Sequence, residues 1–425
     1  MSAVSPSAPT PRLTPTPNAA AAAVQPSERI GVLDVLRGIA LLGMFFVHFS
    51  GHSTDPGGGF GHIYRRVVEL FFEDRFWTMF AILFGVGFAV QLRRADARGD
   101  NFIARYVRRL LALAVFGFIA EAFFGFNVLL GYAMWGFPLL LVRRWSTKAL
   151  VIALLVCAAS LPIYQVTRAT YETAAGRADQ WAAVGKAEGE RDRAINTTYR
   201  ADKQSTNYGT VVAARMRHMP FFYSRLFSFL PTNEFALFLI GLLSLRLGVF
   251  EDPRRHRRLI IGMMIFGVAS WVAAEWLFPL PNMAPAGWPL PLRVLGGFAT
   301  NGFRLVRDMW LAFAYIGATL LLVARNPVWL QRLSAFGVTG RMALTNYMLQ
   351  VMILDFTFSN YALGLHISAA YAPLAALALF AVDVALSRWW LARYRYGPLE
   401  WVWRSITYAR WQPFRLTPAI GADVA

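Results

Sequence analysis

"VLDVLRGIALLGMFFVHFS", residues 32–50, decides how this chain is read. The stretch is apolar and of spanning length for a bilayer core of about 30 Å. Yet it carries Asp34, Arg37 and His48. On an ideal helix Asp34 and Arg37 stand at i and i+3, within ion-pair reach. From Arg37 to His48 is about three turns at 3.6 residues per turn, which leaves the two roughly 20° apart in azimuth. The three groups therefore form one stripe, descending about 16 Å from Arg37 to His48. Lipid exposure of such groups is costly, so the stripe is expected to face a bundle interior or a hydrated cavity. Spacing leaves a second reading open. Asp34 and Arg37 can form a structural ion pair at the cytoplasmic boundary, with His48 in the outer headgroup zone.

Composition agrees with a membrane setting. Of 425 residues, 56% are hydrophobic and only 16% are charged, against about a quarter charged in soluble domains. The net charge is +18. In a soluble domain that excess would point to nucleic acid. In a membrane protein it follows from loops that collect Arg and Lys on the cytoplasmic side, so no nucleic-acid partner is expected. The only cysteine, Cys157, allows no internal disulfide and no cysteine-based metal cluster. The histidines His52, His62, His218, His256 and His366 are scattered, and no metal site is expected.

Ten or so candidate spans follow from the apolar runs. They are Val32 to Phe49, Phe76 to Leu92, Val107 to Phe124, Val128 to Val142, Ala149 to Tyr164, Glu234 to Phe250, Leu259 to Leu280, Met309 to Ala324, Met342 to Phe358 and Ala372 to Trp390. Arginines crowd alternate connections: Arg93, Arg94 and Arg98, then Arg143 and Arg144, then "RLGVFEDPRRHRR", then Arg325, Arg332 and Arg341. The outer connections after the third and ninth spans have no Lys or Arg. This places both termini in the cytoplasm. The expected fold is an all-α, multi-pass membrane bundle, with the lipid bilayer as its first partner.

The organisation reads as follows. Residues 1–28, rich in Pro, Ala, Ser and Thr, are expected to be a disordered tail and not a cleaved signal peptide. Residues 29–165 form an N-terminal bundle and 234–411 a C-terminal one, with a short tail at 412–425. The polar stretch at 166–233 is expected to be an extracytoplasmic loop with interfacial helices, and it is a candidate cap over a substrate.

The residues now reach a resemblance. "LDVLRGIALLGMFFVH" resembles the first helix of the membrane acyltransferase superfamily, in which His follows the Asp by fourteen positions. Over about residues 28–411 the chain looks like the YeiB-like family of bacterial inner-membrane proteins, defined by a domain of unknown function. "FWTMFAILFGVGF", "GRMALTNYMLQ" (Gly340 to Gln350) and "GPLEWVWRSITY" (Gly397 to Tyr408) carry that likeness. YeiB-like proteins often have Asn where this chain has His48, as the acyltransferase branch does. In the outer turn after the third span, "AEAFFGFNVLLGY" puts Glu121 and Asn127 where the family tends to have His and a Gly-Asp-Ile-Leu run.

The resemblance implies an acyltransferase of the bacterial inner membrane. His48 would be the general base that deprotonates a hydroxyl. Arg37 would hold the anionic part of a donor such as acyl-CoA, and Asp34 would orient Arg37. No permanently bound cofactor is expected. The acceptor would be an envelope glycan or lipid. Glu121, Asn127, Asp355 and Asn346 are the candidate substrate contacts. For Asn346 and Gln350, at i and i+4, hydrogen bonding between helices is the simpler account. Glu400 and Arg404 are also i,i+4, and their segment reads as a cytoplasmic membrane anchor. A transporter remains the alternative, with the Asp–Arg–His stripe and Asp355 as a proton or solute path.

Overall fold

A computed structural model describes residues 31–54, 59–126, 128–228, 233–273 and 287–416. The expected N-terminal tail lies outside the described residues. The fold is all-α. Helices α1 (Gly31–His52), α2 (Phe60–Phe71), α3 (Arg75–Arg98) and α4 (Phe102–Phe124) come first. Then come α5 (Val128–Gly136), α6 (Pro138–Val142), α7 (Thr147–Ala174), α8 (Ala178–Lys203) and α9 (Tyr208–Ser228). The C-terminal half holds α10 (Asn233–Arg246), α11 (Arg257–Val272), α12 (Leu290–Arg325), α13 (Val328–Arg332) and α14 (Ser334–Arg341), followed by α15 (Ala343–Phe358), α16 (Ala372–Leu391) and α17 (Pro398–Tyr408). Two dipeptide strands, β1 (Ser53–Thr54) and β2 (Ile367–Ser368), pair in parallel beside the outer ends of α1 and α15.

Among the described residues, four helical stretches are long and apolar enough to cross a membrane: Gly31–His52, Phe60–Arg98, Thr147–Ala174 and Ala372–Leu391. Val128–Val142, which spans α5 and α6, and two parts of α12, Leu290–Ala299 and Met309–Arg325, are shorter apolar segments. Several boundaries differ from the sequence reading. The fourth candidate span breaks at Pro138 into α5 and α6, because proline has no N–H for the ladder. The fifth continues through Pro162 to Ala174, so the expected boundary at 165/166 falls inside α7. The eighth begins at Leu290. The seventh is described to residue 273, and its last turns lie outside the described residues. Helix α2 went unread. It is amphipathic, with Phe60, Ile63, Val67 and Phe71 exposed along one edge. The adjoining face is pinned by Tyr64, whose hydroxyl donates to the Phe46 carbonyl at 2.9 Å.

Helix α1 is central. It packs against α2, α3, α12, α13, α14, α15 and α16. The approach to α14 is backbone to backbone. A Cβ on Gly38 would stand 2.0 Å from the Phe336 carbonyl oxygen, and one on Gly340 would stand 1.8 Å from the Asp34 carbonyl oxygen. Small residues allow such contact, which gains dispersion energy where lipid supplies no hydrophobic driving force. Two apolar clusters flank α1. One joins it to α3, α4, α10 and α12; the other joins its outer half to α2, α15 and α16.

The 166–233 segment folds back onto the bundle. Helices α8 and α9 pack on each other, and α9 packs on α4. One ion pair fastens it. Arg215 of α9 donates to Asp355 of α15 at 2.6 Å, with side-chain exposures of 1% and 4%. Arg215 also donates to the Phe123 carbonyl at 2.5 Å. Ser359 and Tyr361 donate to the two Asp355 oxygens at 2.7 and 2.6 Å. The pair is thus enclosed and its carboxylate well supplied with donors.

Two outcomes test this packing in the purified full-length protein in detergent. Gly38→Val or Gly340→Val should destabilise by at least the ~1–3 kcal/mol typical of overpacking, read as a lower melting temperature. Gly185→Ala, in open space on α8, should leave it unchanged or slightly raised. Arg215→Ala should cost about 3–5 kcal/mol by leaving a buried carboxylate unpaired, and should expose 166–233 to protease. The double replacement Arg215→Met with Asp355→Leu should recover most of that loss.

Candidate functional site

The inner end of the α1 stripe is a cationic junction. Asp34 is buried and accepts from Arg37 Nη1 at 2.9 Å, the i,i+3 pair expected from spacing. The Arg37 side chain keeps 29% exposure. Gly87 of α3 leaves room beside it; a Cβ there would come only within 4.0 Å of Arg37 Nη2. Arg109 of α4 lies within electrostatic reach of both Arg37 and Arg404 of α17. Its guanidinium sits 3.6 Å above the Trp403 ring, and Trp403 Nε1 donates to the Arg109 carbonyl at 2.8 Å. Arg108 Nε donates to the Thr407 carbonyl at 3.2 Å. Arg404 sits 4.5 Å over the Tyr396 ring. Neither Arg109 nor Arg404 is paired with a carboxylate among the described residues. Three guanidiniums against Asp34 leave an excess of positive potential, which attracts anions.

The segment read as a membrane anchor therefore does more. Helix α17 brings Trp403 and Arg404 to the junction, and its Glu400 caps α15. Glu400 accepts from the backbone N–H of Leu344 and Thr345 at 2.7 and 3.0 Å, and from the Thr345 hydroxyl at 2.5 Å. The expected Glu400–Arg404 pair does not form, because the orphan N–H groups of the α15 first turn claim the carboxylate.

The outer end of the stripe holds His48. Its Nδ1 lies 3.3 Å from Gln350 Nε2 of α15, and its ring meets Phe126 at 4.8 Å between centroids. One turn on, His52 Nδ1 donates to the His48 carbonyl at 2.8 Å, and its ring stacks on Phe358 at 4.8 Å. Lys203, at the end of α8, and Asp355 both lie within electrostatic reach of His52. Burial, with Arg215 close by, lowers the Lys203 ammonium below its usual pKa. Helices α8 and α9 thus border the C-terminal end of α1.

The candidate substrate contacts separate. Glu121 is buried and accepts from the Tyr223 hydroxyl of α9 at 2.5 Å. Asp355 is held by Arg215. Asn346 donates to the Thr339 carbonyl at 3.2 Å and the Ser387 hydroxyl at 3.0 Å, joining α14, α15 and α16. Asn127 lies outside the described residues. None of Glu121, Asp355 and Asn346 bonds Arg37 or His48. Gln350, expected to hydrogen-bond between helices, reaches His48 from α15, while Arg109 and Arg404, at the Arg37 end, are not among the candidate site residues of the sequence. A further carboxyl, Asp383 of α16, is buried, and its Oδ2 has no hydrogen-bond partner among the described residues. A lone acid in an apolar span is a visible signal, whereas the partners of His48 and Arg37 come from other elements, Gln350 302 residues from His48.

Two family descriptions match the chain. "Heparan-alpha-glucosaminide N-acetyltransferase, catalytic" matches residues 29–177, a range that contains the whole α1 stripe. "Protein of unknown function (DUF418)" matches residues 244–410. No solved structure matches. A relative from Bacillus acidopullulyticus, the uncharacterized 39.9 kDa protein in amylase 3'region, is 30% identical over 92% of this chain and 96% of its own length. The uncharacterized protein YxaH of Bacillus subtilis is 28% identical over 91% and 96%. The uncharacterized protein YeiB of Escherichia coli is 26% identical over 89% and 96%. Similarity running from the acyltransferase-like first helix to the C-terminal "GPLEWVWRSITY" places this chain in the YeiB-like, DUF418-containing family of bacterial proteins.

Proposed function

We propose that the protein is an integral-membrane acyltransferase. It moves an acyl group from a cytoplasmic thioester donor, acyl-CoA, to a hydroxyl on an envelope sugar or lipid. The observation that carries this reading is the acetyltransferase-catalytic match over residues 29–177, combined with an α1 whose Arg37 end is cationic and whose far end presents an imidazole. About ten spans with both termini in the cytoplasm of a bacterial inner membrane put Arg37 on the donor side. The charge alternation of the loops supports that orientation. The 166–233 segment then caps the outer face, between bundles at 29–165 and 234–411.

The chemistry follows from the residues. The donor's phosphates bind at Arg37, Arg109 and Arg404 by charge-assisted hydrogen bonds. Asp34 fixes Arg37. The acyl arm extends about 16 Å along the stripe to His48. His48 Nε2 takes the acceptor's hydroxyl proton as that oxygen bonds to the thioester carbonyl carbon. The C–S bond then breaks, and the proton passes to the departing thiolate. Gln350 is a positioning residue. Amide oxygen and nitrogen exchange places by a half-turn. With Oε1, which otherwise has no partner, turned to Nδ1–H, the amide leaves Nε2 free as the base.

One observation favours the transporter reading: Asp383, a buried acid with an unpartnered oxygen inside α16. Both readings meet in one set of measurements. Purified protein should bind acyl-CoA, and Arg37→Ala should weaken that binding about ten- to a hundredfold, the ~1.5–3 kcal/mol of a charge-assisted hydrogen bond. His48→Ala should lower acyl transfer by about 10²–10⁴-fold with donor affinity unchanged. Solute uptake by proteoliposomes without acyl donor, abolished by Asp383→Asn, would replace the enzyme with a transporter. Gln350→Ala should move the pH profile of acyl transfer while leaving donor affinity as it is. Gln350→Asn should restore little, since its amide is one methylene short.

A further inference from the structure

The connection before α11 carries a second cationic feature, remote from α1. Arg254, Arg255, Arg257, Arg258 and Ile261 line a half-open surface depression of about 440 Å³. Arg254 is committed to structure: its Nε and Nη2 donate to the Ala324 carbonyl at the end of α12, at 2.8 and 2.5 Å. Arg255, Arg257 and Arg258 are exposed and have no carboxylate partner among the described residues. The acids nearby are occupied. Glu251 pairs with Arg93, and Asp252 Oδ1 accepts from the Arg255 N–H at 3.1 Å.

The placement runs against helix electrostatics. Arg257 and Arg258 occupy the first turn of α11, where the macrodipole is positive and cations are disfavoured. The N-cap residue, His256, supplies no side-chain acceptor. A bound anion offsets both charges at once and accepts from the first-turn N–H groups. Below the arginines the same helix turns apolar and open. Ile265 is 63% exposed and Val272 38% exposed. Gly262 lies on that line, and a Cβ there would meet nothing within 4 Å. The result is an open cationic depression above an exposed apolar helix face.

We propose that this site binds an anionic phospholipid of the cytoplasmic leaflet, its phosphate among Arg255, Arg257 and Arg258 and one acyl chain along Gly262, Ile265 and Val272. The proposal rests on the cytoplasmic placement of this connection and not on the acyltransferase reading. Basic pockets at the cytoplasmic membrane surface hold anionic headgroups by this chemistry.

The test uses full-length protein in detergent with added lipid, read by melting temperature and by native mass spectrometry. Phosphatidylglycerol should raise the melting temperature saturably, and more than phosphatidylcholine with the same chains. The triple variant Arg255→Gln, Arg257→Gln, Arg258→Gln should lose more than half of that rise. Arg410→Gln with Arg415→Gln, at another exposed arginine cluster, should keep it. Gly262→Phe sets a ring across the exposed apolar face and should remove one retained phosphatidylglycerol from the mass spectrum. This second variant decides the matter should the triple variant not fold. Equal protection by phosphatidylcholine, equal protection by inorganic phosphate alone, or unchanged lipid retention in Gly262→Phe overturns the proposal.

Discussion

A carboxylate and a guanidinium placed in a membrane-embedded helix must find compensation inside the protein, because lipid offers none. That requirement organises the molecule. Asp34 and Arg37 compensate each other within α1. The helix that carries them is then wrapped by its neighbours, so that the pair is enclosed on one side and open to the α4–α17 junction on the other. Gly38 and Gly340 make the enclosure tight, bringing the α1 and α14 backbones into direct contact. A bulkier residue at either position would push α14 away and admit lipid or water to the pair.

The two matched regions of the chain pack together around α1. Arg37, Arg109 and His48 come from residues 29–177. Gln350, Trp403 and Arg404 come from residues 244–410. At the inner end Arg109 lies stacked on Trp403, and at the outer end the imidazole meets the amide of Gln350. The C-terminal region is therefore a structural partner of the acyltransferase-like region and not an appended module. Its α17 also caps α15 through Glu400, which sets the position of the helix that carries Gln350.

Asp355 shows how a buried acid can find its partner inside the protein. An acid in an apolar span demands a partner, and a substrate or proton is one answer. Here the partner is Arg215 of α9. A buried pair of this kind adds little net stability against a hydrophobic isostere, yet breaking it is costly. Its effect is to hold the 166–233 helices beside the outer end of α1. Glu121 and Tyr223 make a second link between the bundle and α9, so two candidate substrate contacts also join α9 to the bundle.

By itself the sequence determined the class of fold, the central importance of residues 32–50 and the pairing of Asp34 with Arg37. Each of these follows from local chemistry: apolar run length, helical periodicity and a three-residue spacing. It also carried the family likeness at both ends of the chain. Only the tertiary structure decided which distant side chains answer each buried charge. Local rules say that Asp355, Glu400 and Arg37 need partners, but several arginines and backbone termini could serve. The choice of Arg215 for Asp355, of the α15 amides for Glu400, and of Arg109 and Arg404 beside Arg37 depends on which helices pack together. That packing is a property of the whole bundle, which no single segment encodes.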